Sequence, residues 1–280
     1  MSLTSANPPI VLSFSTLDPS GAGGLQADIE TAASLGCHCA PIATSFCSTG
    51  AVPETETLAM EPPLLIEQAR SILENMDVKA IKIGFLGTPE ITEAVHSIVT
   101  DYPNLPVVSH PALCLLEAAD ESYGELIDAY TNLILPLTTV ANFSLFEAQE
   151  VAKERDTIDT TAHSIISHGC QFALITGTGK QTQAFQNSTY SEKGLIKDYY
   201  WQQEPPACHG SSTTLATATA SYLAHGFDPL QALEQAQNFT WHAMQASRNL
   251  GFNNRTPHRF YWADKNITTS QEDAPGARTH

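Results

Sequence analysis

The chain has 280 residues, enough for one large α/β domain with a well-buried core. Hydrophobic residues make up 42% and charged residues only 15%, which argues against disorder over most of the length. A formal net charge of −17 argues against a nucleic-acid or anionic-membrane partner, although a few local N–H donors can hold a phosphate whatever the global sign.

Strand and helix patterns alternate along the chain. Ile10 to Leu17 is an apolar run that stops at the turn Asp18-Pro19-Ser20-Gly21, and a helix is expected from Leu25 to Leu35, with Gly36 ending it. Ala40 to Phe46 reads as a buried strand and Val52 to Met60 as an edge ribbon, before Pro62-Pro63 opens a helix to Asn75. Ala80 to Phe85 is a short strand, Thr88-Pro89-Glu90 caps a helix, and Pro106 to Ser109 is another strand. A helix from Ser122 to Asn132, a strand from Thr138 to Asn142 and two helices near Leu145 and Thr160 come next. Phe172 to Thr176 is a strand, Ala184 to Tyr190 and Leu195 to Trp201 are ribbons, and helices are expected over Ser212–His225 and Pro229–Arg248. Repeated strand–helix units with short loops imply a mostly parallel sheet covered on both faces, with ligands at the carboxyl ends of the strands. A single domain is expected over 1–264, with a polar, disordered tail from Lys265 to His280.

Cys37-His38-Cys39 has no second pair at zinc-like spacing, so the six cysteines read as reduced thiols in or near the core. The first ten residues carry neither a basic segment nor a long apolar one, and no apolar run approaches the roughly 20 residues of a membrane span. The expected address is cytoplasmic.

Two loops carry chemistry. Asp18-Pro19-Ser20-Gly21-Ala22-Gly23-Gly24 joins a strand to a helix, and its glycines let backbone N–H groups approach a ligand closely, although a ligand-free tight turn would use similar residues. No Lys-Ser or Lys-Thr pair follows, so it is not a P-loop. Cys208-His209-Gly210-Ser211-Ser212-Thr213-Thr214 opens an Ala- and Thr-rich helix, where free amides and the helix dipole make an anion site, or where a Ser merely caps a buried helix.

With both loops in this order, the chain resembles the ribokinase-like kinases and, within them, is similar to the hydroxymethylpyrimidine/phosphomethylpyrimidine kinases of thiamine biosynthesis. The family signature Asp-Pro-Ser-Gly-Gly-Ala-Gly-(Ile/Leu)-Gln-Ala-Asp matches Asp18 to Asp28 apart from a swap at Ala22 and Gly23. Ala80 to Leu86 is similar to the strand carrying Lys-(Ile/Leu)-Gly-Met-Leu, Leu133 to Pro136 to the segment ahead of Thr-Pro-Asn-Leu-Pro-Glu, and His209 to Leu215 to His-Gly-(Thr/Ser)-Gly-Cys-Thr-Leu. The resemblance implies a three-layer α/β/α domain with a mostly parallel central sheet, in a homodimer. It also implies ATP-dependent, magnesium-assisted phosphorylation of the thiamine pyrimidine alcohol or its monophosphate.

Carried over residue by residue, it places the transfer site at Gly210, Ser211, Ser212 and Thr213, and substrate contacts at Gly23, Asp28, Thr49 and Phe85. Nucleotide contacts fall on Lys82, Ser144, Thr176 and Gly177, and a metal contact on Glu147. Several family residues are changed. Its glutamine is Thr49, its methionine Phe85, its Asp-Pro-Val is His110-Pro111-Ala112, its Asn is Ser144, and its Lys-Gly-Gly-His loop reads Thr176-Gly177-Thr178-Gly179. Its reactive cysteine is Thr213, whose hydroxyl cannot act as a base near neutral pH, and Ser212 replaces a glycine, a strained choice if the chain turns left-handed there. Three readings stay open: a pyrimidine kinase with an altered site, a non-catalytic pyrimidine- or nucleotide-binding paralogue, and a kinase of another small alcohol.

Overall fold

The computed structural model describes residues 7–48, 57–115, 121–179, 185–201, 205–251 and 254–264. In chain order the main elements are β1 (Ile10–Leu17), α1 (Gly24–Ser34), β2 (His38–Cys47), β3 (Thr57–Ala59), α2 (Pro62–Asn75), β4 (Val78–Ile83), α3 (Pro89–Thr100), β5 (Val107–Ser109) and α4 (Glu121–Ala129). They continue as β6 (Val140–Ser144), α5 (Leu145–Ala152), α6 (Ile158–Ser167), β7 (Phe172–Thr176), β8 (Phe185–Ser191), β9 (Gly194–Trp201), α7 (Ser211–Ala224), α8 (Pro229–Gln245), β10 (Arg248–Gly251) and β11 (Asn254–Thr256).

Among the described residues one nine-stranded sheet runs in the order β3-β2-β1-β4-β5-β6-β7-β8-β9. The six strands from β2 to β7 are parallel, while β3, β8 and β9 join antiparallel at the edges. Strand side chains alternate between two cores. Leu12, Ile81, Ala141 and Ile175 pack beneath α2 to α6, and Val11, Ala80, Val140 and Leu174 pack beneath α1, α7 and α8. This is the three-layer α/β/α architecture.

Helix α7 lies buried against the sheet, α1 and α8, which its run of small residues permits: Ala216, Ala218 and Ala220 are fully buried. Its buried hydroxyls are satisfied by the preceding turn, with Thr214, Thr219 and Ser221 each donating to the carbonyl four residues back. The sheet order reverses between β1 and β4, the kind of crevice where open α/β sheets take ligands.

Three local readings differ. The helix expected to Asn132 ends as α-helix at Ala129 and widens into a π-turn over Tyr130–Ile134, and the strand expected at Thr138 begins at Val140, because Thr138 Oγ1 still bonds the Ile134 carbonyl. Helix α8 stops at Gln245, and Arg248 starts a hairpin with β11 instead of ending the helix. The edge ribbon is described only over Thr57–Ala59; residues 52–56 and the tail 265–280 lie outside the described residues.

Candidate active site

At the carboxyl ends of β1, β4, β5 and β6 a cavity of about 250 Å³ opens. One wall is the start of α7. Gly210 caps that helix with φ +83° and, having no side chain, offers its first-turn amides no capping acceptor. The amides of Ser211, Ser212 and Thr213, all in the cavity wall, therefore have no intrahelical acceptor, and the positive end of the helix dipole adds to them. The left-handed bend falls at Gly210; Ser212 is helical and carries none of the strain that a turn at its own position would bring.

The loop after β1 forms a second wall. Asp18 is buried, and its carboxylate accepts from the Ser20 amide and hydroxyl (2.8 and 2.7 Å) and from the Gly23 amide (2.9 Å). His209 Nε2 stands 3.6 Å from the same carboxylate, which ties this loop to the entrance of α7. Burial alone would raise the Asp18 carboxyl; the His209, Ser20 and Gly23 hydrogen bonds outweigh it and hold the group well below the usual carboxylate range. Between the loops Gly84 keeps the cavity floor open: a Cβ there would run into Ser15 Oγ and stand 2.7 Å from Lys82 Nζ.

An apolar wall comes from Phe85, which packs with Ala112, Leu115 and Leu126 and whose carbonyl is held by Thr44 Oγ1 at 2.6 Å. Beside it His110 Nδ1 lies 3.2 Å from the Asn142 carbonyl, which can only accept. Nδ1 therefore carries the proton and Nε2 keeps a lone pair. Burial pushes this imidazole below its ordinary value, against the pull of the Glu147 charge. Asn142 in turn donates to the Ser212 carbonyl at 3.2 Å, bracing α7 from the sheet.

The expected site residues separate into four groups. Gly210, Ser211, Ser212, Thr213, Gly23, Phe85, Lys82, Ser144 and Glu147 meet at the cavity. Asp28, expected to touch the ligand, lies one layer behind the wall. It is fully buried; Ser13 Oγ (2.7 Å) and Lys82 Nζ (2.9 Å) donate to its Oδ2, and Thr217 Oγ1 (2.5 Å) to its Oδ1. Thr176 and Gly177 stand a strand away, Thr176 paired with Ser144 across the β6–β7 ladder and the Gly177 amide bonded to Asn187 Oδ1. Thr49 lies outside the described residues.

Ser144 and Glu147 form a capping box on α5: Glu147 Oε2 accepts from the Ser144 amide and hydroxyl, both at 2.8 Å, and Oε1 from the Leu113 amide at 3.0 Å. Three of the roughly four lone-pair positions of this carboxylate are thus occupied. Among the described residues no group of three or more His, Cys, Asp or Glu could hold a metal. This donor set does not fit a magnesium ion ligated mainly by protein carboxylates.

The phosphomethylpyrimidine kinase family model matches residues 18–258, from Asp18 through the α7 loop to His258. The chain belongs to the phosphomethylpyrimidine kinase family. The hydroxymethylpyrimidine/phosphomethylpyrimidine kinase of Streptomyces coelicolor is 27% identical over 252 residues, covering 87% of this chain and 91% of that one. The chloroplastic thiamine biosynthetic bifunctional enzyme of Arabidopsis thaliana is 23% identical over 255 residues, 86% of this chain but 48% of its own length, so the chain spans about half of that relative. Among solved structures, the ADP complex of Bacillus subtilis pyridoxal kinase superposes with a TM-score of 0.83 at 24% identity, covering 91% of this chain and 99% of that one. Phosphomethylpyrimidine kinase from Clostridium difficile 630 gives 0.69 at 19% identity, covering 83% and 97%. These structures share the fold.

Sequence reasoning missed Asp18 as the anchor of its own loop, Asn142 as a brace of α7, and Arg259, a fully buried cation behind both loops. Asp18 opens the signature and could have been found there; Arg259 stands in no motif.

Proposed function

We propose that this chain transfers the γ-phosphoryl group of ATP to the hydroxymethyl oxygen of 4-amino-5-hydroxymethyl-2-methylpyrimidine, or to a phosphate oxygen of its monophosphate, a step of thiamine biosynthesis. The observation that carries the reading is the uncapped start of α7 at a cavity whose other wall is the apolar Phe85. The relatives' names and the nucleotide complexes among similar structures support the choice of substrates.

The acceptor oxygen, of the alcohol or of its phosphate, attacks the γ-phosphorus, the bond from that phosphorus to the bridging oxygen breaks, ADP leaves, and the alcohol proton passes to solvent. Charge spread over the transferred group needs fixed donors more than covalent chemistry. The amides of Ser211, Ser212 and Thr213 supply them, and Phe85 packs against the ring. Ser144, Thr176 and Gly177, at neighbouring strand ends, border the nucleotide side. With threonine at 213, the rate falls by about 10² to 10⁴ relative to a site with a positioned base.

The test is ADP release on adding the pyrimidine alcohol to protein with ATP and magnesium salt. Turnover that requires both substrates supports the proposal, and none above the protein-free blank rejects it. Thr213 favours one second reading, a protein that binds the pyrimidine without turning it over. A ligand-induced melting shift with no ADP would select it.

Two finer points belong with this proposal. Leu17, Phe46 and Leu58, exposed by 43, 41 and 72%, gather at the β3 end of the sheet and support a homodimer formed there. Sedimentation of a Leu58→Asp variant as a monomer, against a dimeric parent, is the expected result. Free thiols at Cys37, Cys39, Cys47, Cys170 and Cys208 support a reducing, cytoplasmic address. Among the described residues no helix is long and apolar enough to cross a membrane.

A further inference from the structure

Arg259 is the largest fully buried side chain of the described residues, with 1% of its surface exposed, and it lies one residue beyond the family match. Its guanidinium bridges the loop after β1, α1 and the start of α7. Nε donates to Thr214 Oγ1 in the first turn of α7 at 3.0 Å. One terminal nitrogen donates to Glu30 of α1 at 2.9 Å and to the Gly21 carbonyl at 3.4 Å; the other donates to the Ala22 carbonyl. The Arg259 carbonyl accepts from Ser34 Oγ at 2.6 Å.

Burying a guanidinium is unfavourable unless it is paired and hydrogen-bonded, and an apolar side chain could have filled this space. What only arginine supplies is a flat fork of donors matched to acceptors on three separate segments. Bonds made by the Gly21 and Ala22 amides stay inside their own loop, to Asp18 and Ser20. At Gly210 the two loops touch most closely: a Cβ there would collide with the Ala22 carbonyl and come within 3.0 Å of the guanidinium. Arg259 sits at that junction.

We propose that Arg259 is a positioning residue that locks the Asp18–Gly24 loop and the start of α7 into one unit, so that the α7 amides and the Gly24 amide facing the same cavity hold a fixed place about the transferring phosphoryl group. Its catalytic consequence rests on the kinase reading; its mechanical part does not. A displacement of 1 Å between such groups lowers rates by about 10².

The test uses the full chain with Arg259→Ala and Arg259→Lys. Hydrogen exchange is read at residues 20–24, 211–214 and, as a reference, 81–83. In both variants the two loop segments are expected to exchange about tenfold faster, and together, with the reference unchanged. Turnover with the pyrimidine alcohol is expected to fall about 10² in kcat with a small change in KM. Millimolar guanidinium is expected to restore loop protection and turnover to Arg259→Ala, where ammonium at equal ionic strength does not. The proposal is overturned if Arg259→Lys matches the parent in exchange, if exchange rises equally at 81–83, or if guanidinium does no better than ammonium. A parent chain without turnover sinks the kinase reading alone, because ligand-free exchange and its guanidinium rescue still decide the role of Arg259.

Discussion

Replacing Asp28 by alanine is the sharpest perturbation of the layer beneath the cavity. The change removes the carboxylate ion-paired with Lys82 Nζ, leaving the ammonium with Ser15 Oγ at 3.4 Å, and both members of the pair are fully buried. Breaking one side of such a pair costs about 3–5 kcal/mol, because the remaining charge stays desolvated. Ser13 and Thr217 also lose their shared acceptor. For a chain of this size, at about 2 °C per kcal/mol, the melting temperature should drop by roughly 6–10 °C. Burial shields the pair from counterions, so the loss should be nearly the same in low and high salt. A double variant, Asp28→Leu with Lys82→Met, removes both charges and should recover most of the loss, with a coupling of about 2–3 kcal/mol between the sites. Denaturant unfolding of the parent, both single variants and the double variant measures this. A loss below about 1 kcal/mol for Asp28→Ala, or single effects that simply add, would refute the buried-pair account and return Asp28 to the ligand's reach.

Gly36 and Gly210 both have positive φ, +74° and +83°, but a Cβ at Gly36 meets open space and one at Gly210 meets the Ala22 carbonyl. Gly36→Ala should therefore cost only about 1 kcal/mol of strain, and Gly210→Ala clearly more, as read by urea unfolding. The depressed Asp18 carboxyl stabilises the fold at every pH above its unfolded value of about 3.9, and that contribution fades as pH falls toward the lower folded value. The melting difference between parent and Asp18→Asn should accordingly be full at pH 6–7 and shrink below about pH 4; a difference that grows on acidification contradicts the sign. Burial pushes the thiols of Cys39 and Cys170 up to about 12 and that of Cys37 up to about 11. In a Cys114→Ser background these three should resist a thiol reagent until denaturant is added, while half-buried Cys208 reacts first.

Much of the architecture was legible because strand and helix periods differ and the turn chemistry punctuates them. The run Ile10–Leu17 and its Asp-Pro-Ser-Gly stop appear in the structure as β1 and its loop, and the Ala- and Thr-rich stretch as the buried α7. The π-turn at Tyr130 was not legible, since it continues a helical apolar pattern, and Arg248, next to the end of α8, read as part of that helix rather than as the start of a hairpin. At the site, local sequence revealed which loops carry amides, but not which polar side chains face each other rather than a ligand. Asp28 reads as a ligand contact until Lys82, its partner from β4, is placed beside it 54 positions away in the chain. Arg259 was hidden for the same reason, with acceptors at Gly21 and Ala22 more than two hundred residues upstream.

The central claim, that the open start of α7 serves phosphoryl transfer to a pyrimidine alcohol, is tested most directly by single-turnover transfer from γ-labelled ATP. Label appearing on 4-amino-5-hydroxymethyl-2-methylpyrimidine or its phosphate, and lost in Gly210→Ala, is the predicted result. Label that remains on ATP while the pyrimidine binds, or transfer that survives Gly210→Ala undiminished, would contradict it.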